Sequence, residues 1–187
     1  MLTGSAPRLA RSSLGPTPTN RGLAVPPQAA GVPSHPRGLQ ALARLLAGDA
    51  SSLPSMTGLT SRRFLLIGQS DLFEAWVIGW PPEGEIDLHD HGGCAGALAV
   101  VSGTLSETPV VRGPAGTVTT ATRTIPEGSS LGFGMSHVHA IVNPAHETAV
   151  SIHVYSPRLT RMTRYRIDAE SLRTQETIRC DLGEAIP

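Results

Sequence analysis

The sequence predicts an all-β fold, a sandwich or barrel, preceded by one short helix. Two observations carry this. From Arg62 onward, short runs rich in β-branched and aromatic residues follow one another at even spacing. The runs are broken by turn-forming clusters and by no helical stretch: Gly68-Gln69-Ser70-Asp71, Pro81-Pro82, Gly92-Gly93, Gly113-Pro114 and Asn143-Pro144. Evenly spaced strands without intervening helices close best as two packed sheets or a barrel.

The elements follow in chain order. Residues 1–37 hold no acidic side chain, few large apolar ones and many Pro, Gly, Ser and Ala. Such a composition builds no core, so a disordered segment is expected there. It lacks the apolar stretch of a secretory signal. It shares the Arg-rich, acid-free look of an organelle transit peptide, but a chain whose basic residues are all arginine reads as bacterial coding bias. Over residues 38–48, Leu39, Leu42, Leu45 and Leu46 recur at helical spacing, with Gly48 as the stop. Strands are expected at 63–68, 72–80, 85–91, 95–102, 104–112, 116–124, 130–134, 138–143, 147–156 and 160–167. The tail from 168 is expected to hold a helical turn or two. Residues 38–187 then make one domain, and the chain is long enough for a proper core.

Composition narrows the function. The formal net charge is zero, so no nucleic-acid or membrane-surface partner is expected. No apolar run approaches the roughly 18 residues of a membrane span. Two cysteines, Cys94 and Cys180, make no disulfide framework, which suits a reducing, cytoplasmic setting.

The chemistry centres on His89-Asp90-His91. On a strand, side chains at i and i+2 share a face, so two imidazoles project into one cavity as half of a metal site. His137, His139 and His153 are candidates for a third ligand on a later strand. Asp90, pointing the other way, is expected in solvent or bonded to a turn. Phe73, Trp76 and Trp80 are expected to wall the core.

These residues resemble the cupin superfamily. His89-x-His91, then Gly96, then Gly103 is similar to the first cupin signature, and His139-x-x-x-Asn143 is similar to the end of the second. Gly96 stands where the first signature usually has a glutamate. A site of three histidines without a carboxylate resembles the thiol dioxygenases, and most closely the bacterial-type cysteine dioxygenases. Further matches are Trp80, Arg63, and the run Ser151-Ile152-His153-Val154-Tyr155-Ser156-Pro157. The resemblance spans Leu39 to Tyr165.

The resemblance implies a jelly-roll barrel, the cupin double-stranded β-helix. It implies an Fe(II) ion on His89, His91 and His139, and oxidation of L-cysteine by dioxygen to cysteine sulfinate. Arg63 would clamp the substrate carboxylate, with Arg62 left at the surface. Tyr155 would point its hydroxyl at the reacting atoms, oriented by His153 and Ser151. Cys94, two residues before the position where mammalian-type members carry a cross-linked cysteine, is expected not to cross-link to Tyr155. The expected partners are a small-molecule thiol and dioxygen, acting on a monomer. Two alternatives stay open: another small carboxylate-bearing thiol such as 3-mercaptopropionate, and a metal-binding cupin without dioxygenase activity.

Overall fold

The computed structural model of the chain describes residues 35–49, 53–169 and 171–180. The disorder expected over 1–37 lies outside the described residues as far as residue 34. Helix α1 spans Pro36–Gly48, starting two residues earlier than expected. His35 caps it, its Nδ1 accepting from the Gly38 amide at 3.2 Å, and Pro36 supplies the preset first turn.

Twelve strands follow: β1 Arg63–Gln69, β2 Glu74–Trp80, β3 Glu85–His89, β4 Ala95–Ser102, β5 Thr104–Arg112, β6 Val118–Thr120, β7 Arg123–Pro126, β8 Ser130–Phe133, β9 His139–Val142, β10 Ala149–Ser156, β11 Arg161–Asp168 and β12 Ser171–Arg179. They form two antiparallel sheets, with orders β1-β2-β10-β4-β8 and β12-β11-β3-β9-β5-β6, and β7 pairs with β5. This is the jelly-roll arrangement of two facing sheets. No helix among the described residues is long and apolar enough to cross a membrane.

Three expectations need correction. The strand expected over 85–91 ends at His89, so His91 lies beyond it. The run 116–124 is two short strands, β6 and β7, both paired to β5. In the tail, Ser171–Arg179 is strand β12, not helix, and residues 181–187 lie outside the described residues. The strand folds back on β11 through a turn at Ala169, whose φ is +44°. Thr174, Thr177 and Ile178 favour strand, and β11 offers the ladder partner that an isolated helical turn would lack.

The core lies in two layers. Trp76, Ile78, Trp80, Leu98, Val100, Leu105 and Ile141 fill the space between the sheets. The alternate residues of β2, β4 and β10, including Val77, Ala97, Ala99, Ile152 and Val154, lie on the outer face, where Leu39, Leu42 and Ala43 of α1 cover those of β4 and β10. Strands covered on both faces read as continuous apolar runs, and small alanines let the helix sit close.

Candidate metal centre

β3 and β9 are antiparallel neighbours, and their register sets His89 opposite His139. His91 follows in the turn after β3. All three side chains are buried, and their ring centroids are 4.8–5.1 Å apart. One nitrogen from each lies within 4.8 Å of the others. A point central to such a triangle is at most about 2.8 Å from each corner, against roughly 2.0–2.1 Å for a metal–imidazole bond. An inward shift of under an ångström by each ring closes that gap.

The donor chemistry fits a metal. Burial pushes the His89, His91 and His139 rings below their ordinary pKa, holding them in the neutral form that ligates. The Nδ1–H of His89 donates to the Asp87 carbonyl at 2.8 Å, which leaves Nε2 with its lone pair. His91 packs against both Phe133 and Tyr155, and neither of its buried nitrogens has a hydrogen-bond partner. Buried polar atoms without partners are costly, and a metal ion satisfies one of them.

His137 goes elsewhere. Its Nε2 lies 2.9 Å from a carboxylate oxygen of Glu107, which also takes the Nδ1–H of His139 at 2.7 Å. Glu107 is fully buried. Burial alone would raise its pKa, but the bonds from His137, His139 and Arg123 outweigh this and hold it well below the ordinary range. The sequence reading missed Glu107. The signal was its spacing from Leu105: if Leu105 points inward, so does the residue two places on.

Asn143 is a structural clamp. Its amide donates to the carbonyls of Trp80, Pro81 and Glu147, and its oxygen accepts from the Ala145 amide. Asp90 turns away from the histidines, as expected. It accepts from the amides of Gly92 and Thr163 and from the Tyr165 hydroxyl at 2.7 Å, so it fixes the turn that carries His91.

Ser151, His153 and Tyr155 alternate along β10 and face the space between the sheets. Ser151 Oγ is 2.9 Å from His153 Nε2, and His153 Nδ1 is 3.2 Å from the Tyr155 hydroxyl. Trp80 is more than core wall: its indole N–H donates to Ser151 Oγ at 2.9 Å. This favours one set of proton directions. Indole only donates, so Ser151 accepts there, and the arrangement that leaves its own proton paired has Ser151 donating to His153 Nε2. His153 then carries its proton on Nδ1 and donates to the tyrosine oxygen. The tyrosine O–H is left to point into the cavity. Burial lowers the pKa of His153 to about 3 and raises that of Tyr155, so both stay neutral.

The arginine pair is the reverse of expectation. β1 pairs with β2 so that Phe64 faces Ile78 and Leu66 faces Trp76, all on the inner side. Arg62 shares that side and Arg63 the other. Arg63 is exposed. Arg62 is half-buried, its guanidinium 5.4 Å from the Phe64 ring centre and 5.7 Å from that of Trp80, and its charge is felt at Tyr155, His89 and His153.

Gly96 pairs with Tyr155 on one side and Phe133 on the other. A Cβ there would collide with the Phe133 ring and lie 3.1 Å from Tyr155 Cδ1. Cys94 directs its thiol to the Arg158 carbonyl at 3.5 Å, and burial raises its pKa to about 11.

With this geometry in hand, the chain can be set beside known proteins. The family described as cysteine dioxygenase type I matches over residues 57–168. Among solved structures, the chain is similar to the cupin domain of Cnp3 from Schizosaccharomyces pombe at 12% identity and TM-score 0.46, covering 57% of this chain and 69% of that one. It is similar to TT1209 from Thermus thermophilus at 17% identity and TM-score 0.45, covering 59% and 95%. KdgF from Halomonas sp. matches at 15% identity and TM-score 0.45, covering 54% and 83%.

Proposed function

The chain belongs to the cysteine dioxygenase type I family, and from that premise we propose that it oxidises L-cysteine with dioxygen to cysteine sulfinate. Both oxygen atoms go to one sulfur, so thiol plus dioxygen equals sulfinic acid with nothing left over. The observation that carries this is the convergence of His89, His91 and His139 within the matched region. We assign ferrous iron to them: three neutral nitrogens on one side leave adjacent positions open on the other, the logic of non-haem iron oxygenase sites. The chemistry iron supplies when bound is ionisation of the thiol and activation of dioxygen.

The rest falls to the chain. Arg62 takes the role expected of Arg63: its forked guanidinium, fixed over Phe64 and Trp80, suits bidentate pairing with the substrate carboxylate. Tyr155 offers a hydroxyl proton to the reacting sulfur and oxygen, aimed by His153 and Ser151, with Trp80 anchoring the far end. Phe133 and Tyr155 pack against His91 and keep water from that side. The separate placement of the Cys94 thiol supports an unmodified Tyr155.

The test is mass spectrometry of the product formed from cysteine under labelled dioxygen, with iron content measured on the same sample. Two labelled oxygens in a sulfinate support the reading. Oxygen uptake with 3-mercaptopropionate in place of cysteine would move the substrate to that thiol. Iron binding with no thiol consumed would leave a metal-binding cupin of another kind.

A further inference from the structure

We propose that Glu107 is a positioning residue for the metal centre, fixing the tautomer of His139 and supplying the buried negative charge that the three ligands lack. The inference rests on the reading of His89, His91 and His139 as ligands and goes beyond it to a residue hydrogen-bonded to one of them.

The three histidines are held in three different ways. His89 donates to a backbone carbonyl. His91 has no hydrogen bond and is held by the rings it packs against. His139 alone is backed by a charged group, the Glu107 carboxylate at 2.7 Å. An ionised carboxylate only accepts, so the proton of His139 must sit on Nδ1 and the lone pair on Nε2. A ring in the opposite tautomer would present an N–H where a ligand is needed.

Glu107 is itself held in place. β5 lies between β9 and β7, and Glu107 pairs with Ile141 on one and Arg123 on the other. His137 Nε2 donates to the oxygen shared with His139 at 2.9 Å, and Arg123 Nε donates to the other oxygen at 2.5 Å. Three donors on its two oxygens hold the carboxylate toward His139.

Charge gives a second reason. Three neutral imidazoles leave a divalent cation uncompensated in a buried site. Glu107 is fully buried, whereas the side chain of Arg123 is 53% exposed. Water screens the arginine much more than the glutamate. At His139 the buried carboxylate therefore outweighs the exposed arginine, and its charge reaches the cation through the His139 ring, in the way that outer carboxylates strengthen histidine ligands.

The experiment compares metal-free wild type with Glu107→Gln, which keeps the size and an accepting oxygen but removes the charge. Both are titrated with Co(II) at pH 7.5, at a temperature where circular dichroism shows each folded, so that a loss of stability alone does not move the result. The variant is expected to bind Co(II) 10- to 100-fold more weakly. A ratio below about five overturns the proposal and leaves the three-histidine site standing. Failure of wild type to bind Co(II) overturns both. Should the variant not fold, long-range proton–nitrogen NMR of metal-free wild type decides: His139 in the Nδ1–H form supports the proposal, and the Nε2–H form or a mixture overturns it.

Discussion

Arg62 and Arg63 are neighbours in the chain and lie on opposite faces of the first sheet. Only Arg62 shares the face of Phe64 and Leu66 that looks into the barrel. Arg62→Ala should therefore raise KM for cysteine and lower kcat/KM by roughly 10- to 100-fold, the loss of a charge-assisted contact of about 1.5–3 kcal/mol. Arg63→Ala should change neither by more than about twofold. Steady-state kinetics of the two variants checks this, and equal effects would remove the assignment.

The run Arg62-Arg63-Phe64-Leu65-Leu66-Ile67 has no alternation from which to choose between the arginines, because β1 buries side chains on both faces, one against the barrel interior and one toward the helix layer. Parity comes from pairing with β2, which the sequence does not print. His89 and His91 were legible as a His-x-His pair, although only His89 lies on the strand and His91 sits in the turn after it; Ser151, His153 and Tyr155 were legible because i, i+2 residues share a face whichever face is chosen. Glu107 was not, since an isolated glutamate in a strand ordinarily faces solvent. The tail's strand was missed because an exposed edge strand carries little apolar alternation.

Tyr155 should matter for turnover and not for metal retention. Tyr155→Phe removes one oxygen and nothing else, so metal content should stay at the wild-type value while kcat falls roughly 10- to 100-fold. Ser151→Ala should act more weakly on kcat but cost stability, since it leaves the Trp80 N–H and His153 Nε2 unpaired, about 1–3 kcal/mol for buried groups. Metal analysis, turnover and thermal melting on the same preparations separate the two effects. Loss of metal from Tyr155→Phe would make the tyrosine a packing support for His91.

Gly96 makes room for the rings beside His91 and His139. Gly96→Ala should lower stability by about 1–3 kcal/mol, as overpacking of a filled site does, because the new methyl meets Phe133 and Tyr155. Phe133→Leu opens that space at its own cost. The double variant should lose less than the two single losses added together, since the second change relieves the clash of the first. Urea unfolding of the four proteins measures the coupling, and simple additivity would mean that Phe133 is not what excludes a side chain at position 96.

Acid should unfold the metal-free protein early, and metal should delay it. The folded chain holds His89, His91, His139 and His153 below their ordinary pKa by burial, His153 at about 3, while the unfolded chain takes up protons near pH 6.5. A depressed folded pKa means stability is intact above pH 6.5 and is lost as the pH falls toward the folded values. Each such group removes about 1.4 kcal/mol per pH unit within that window. Glu107 acts in the same direction lower down, between its unfolded value and its depressed folded one. Glu74, raised by burial, acts the opposite way and is one group against five. Urea midpoints of metal-free protein at pH 8, 6.5 and 5.5 should be flat between the first two and fall steeply to the third. Cation and proton compete for the same lone pairs on three of these rings, so the acid midpoint should move to lower pH as Co(II) is added, by mass action. A midpoint indifferent to Co(II) would mean that the three rings share a pocket without sharing an ion.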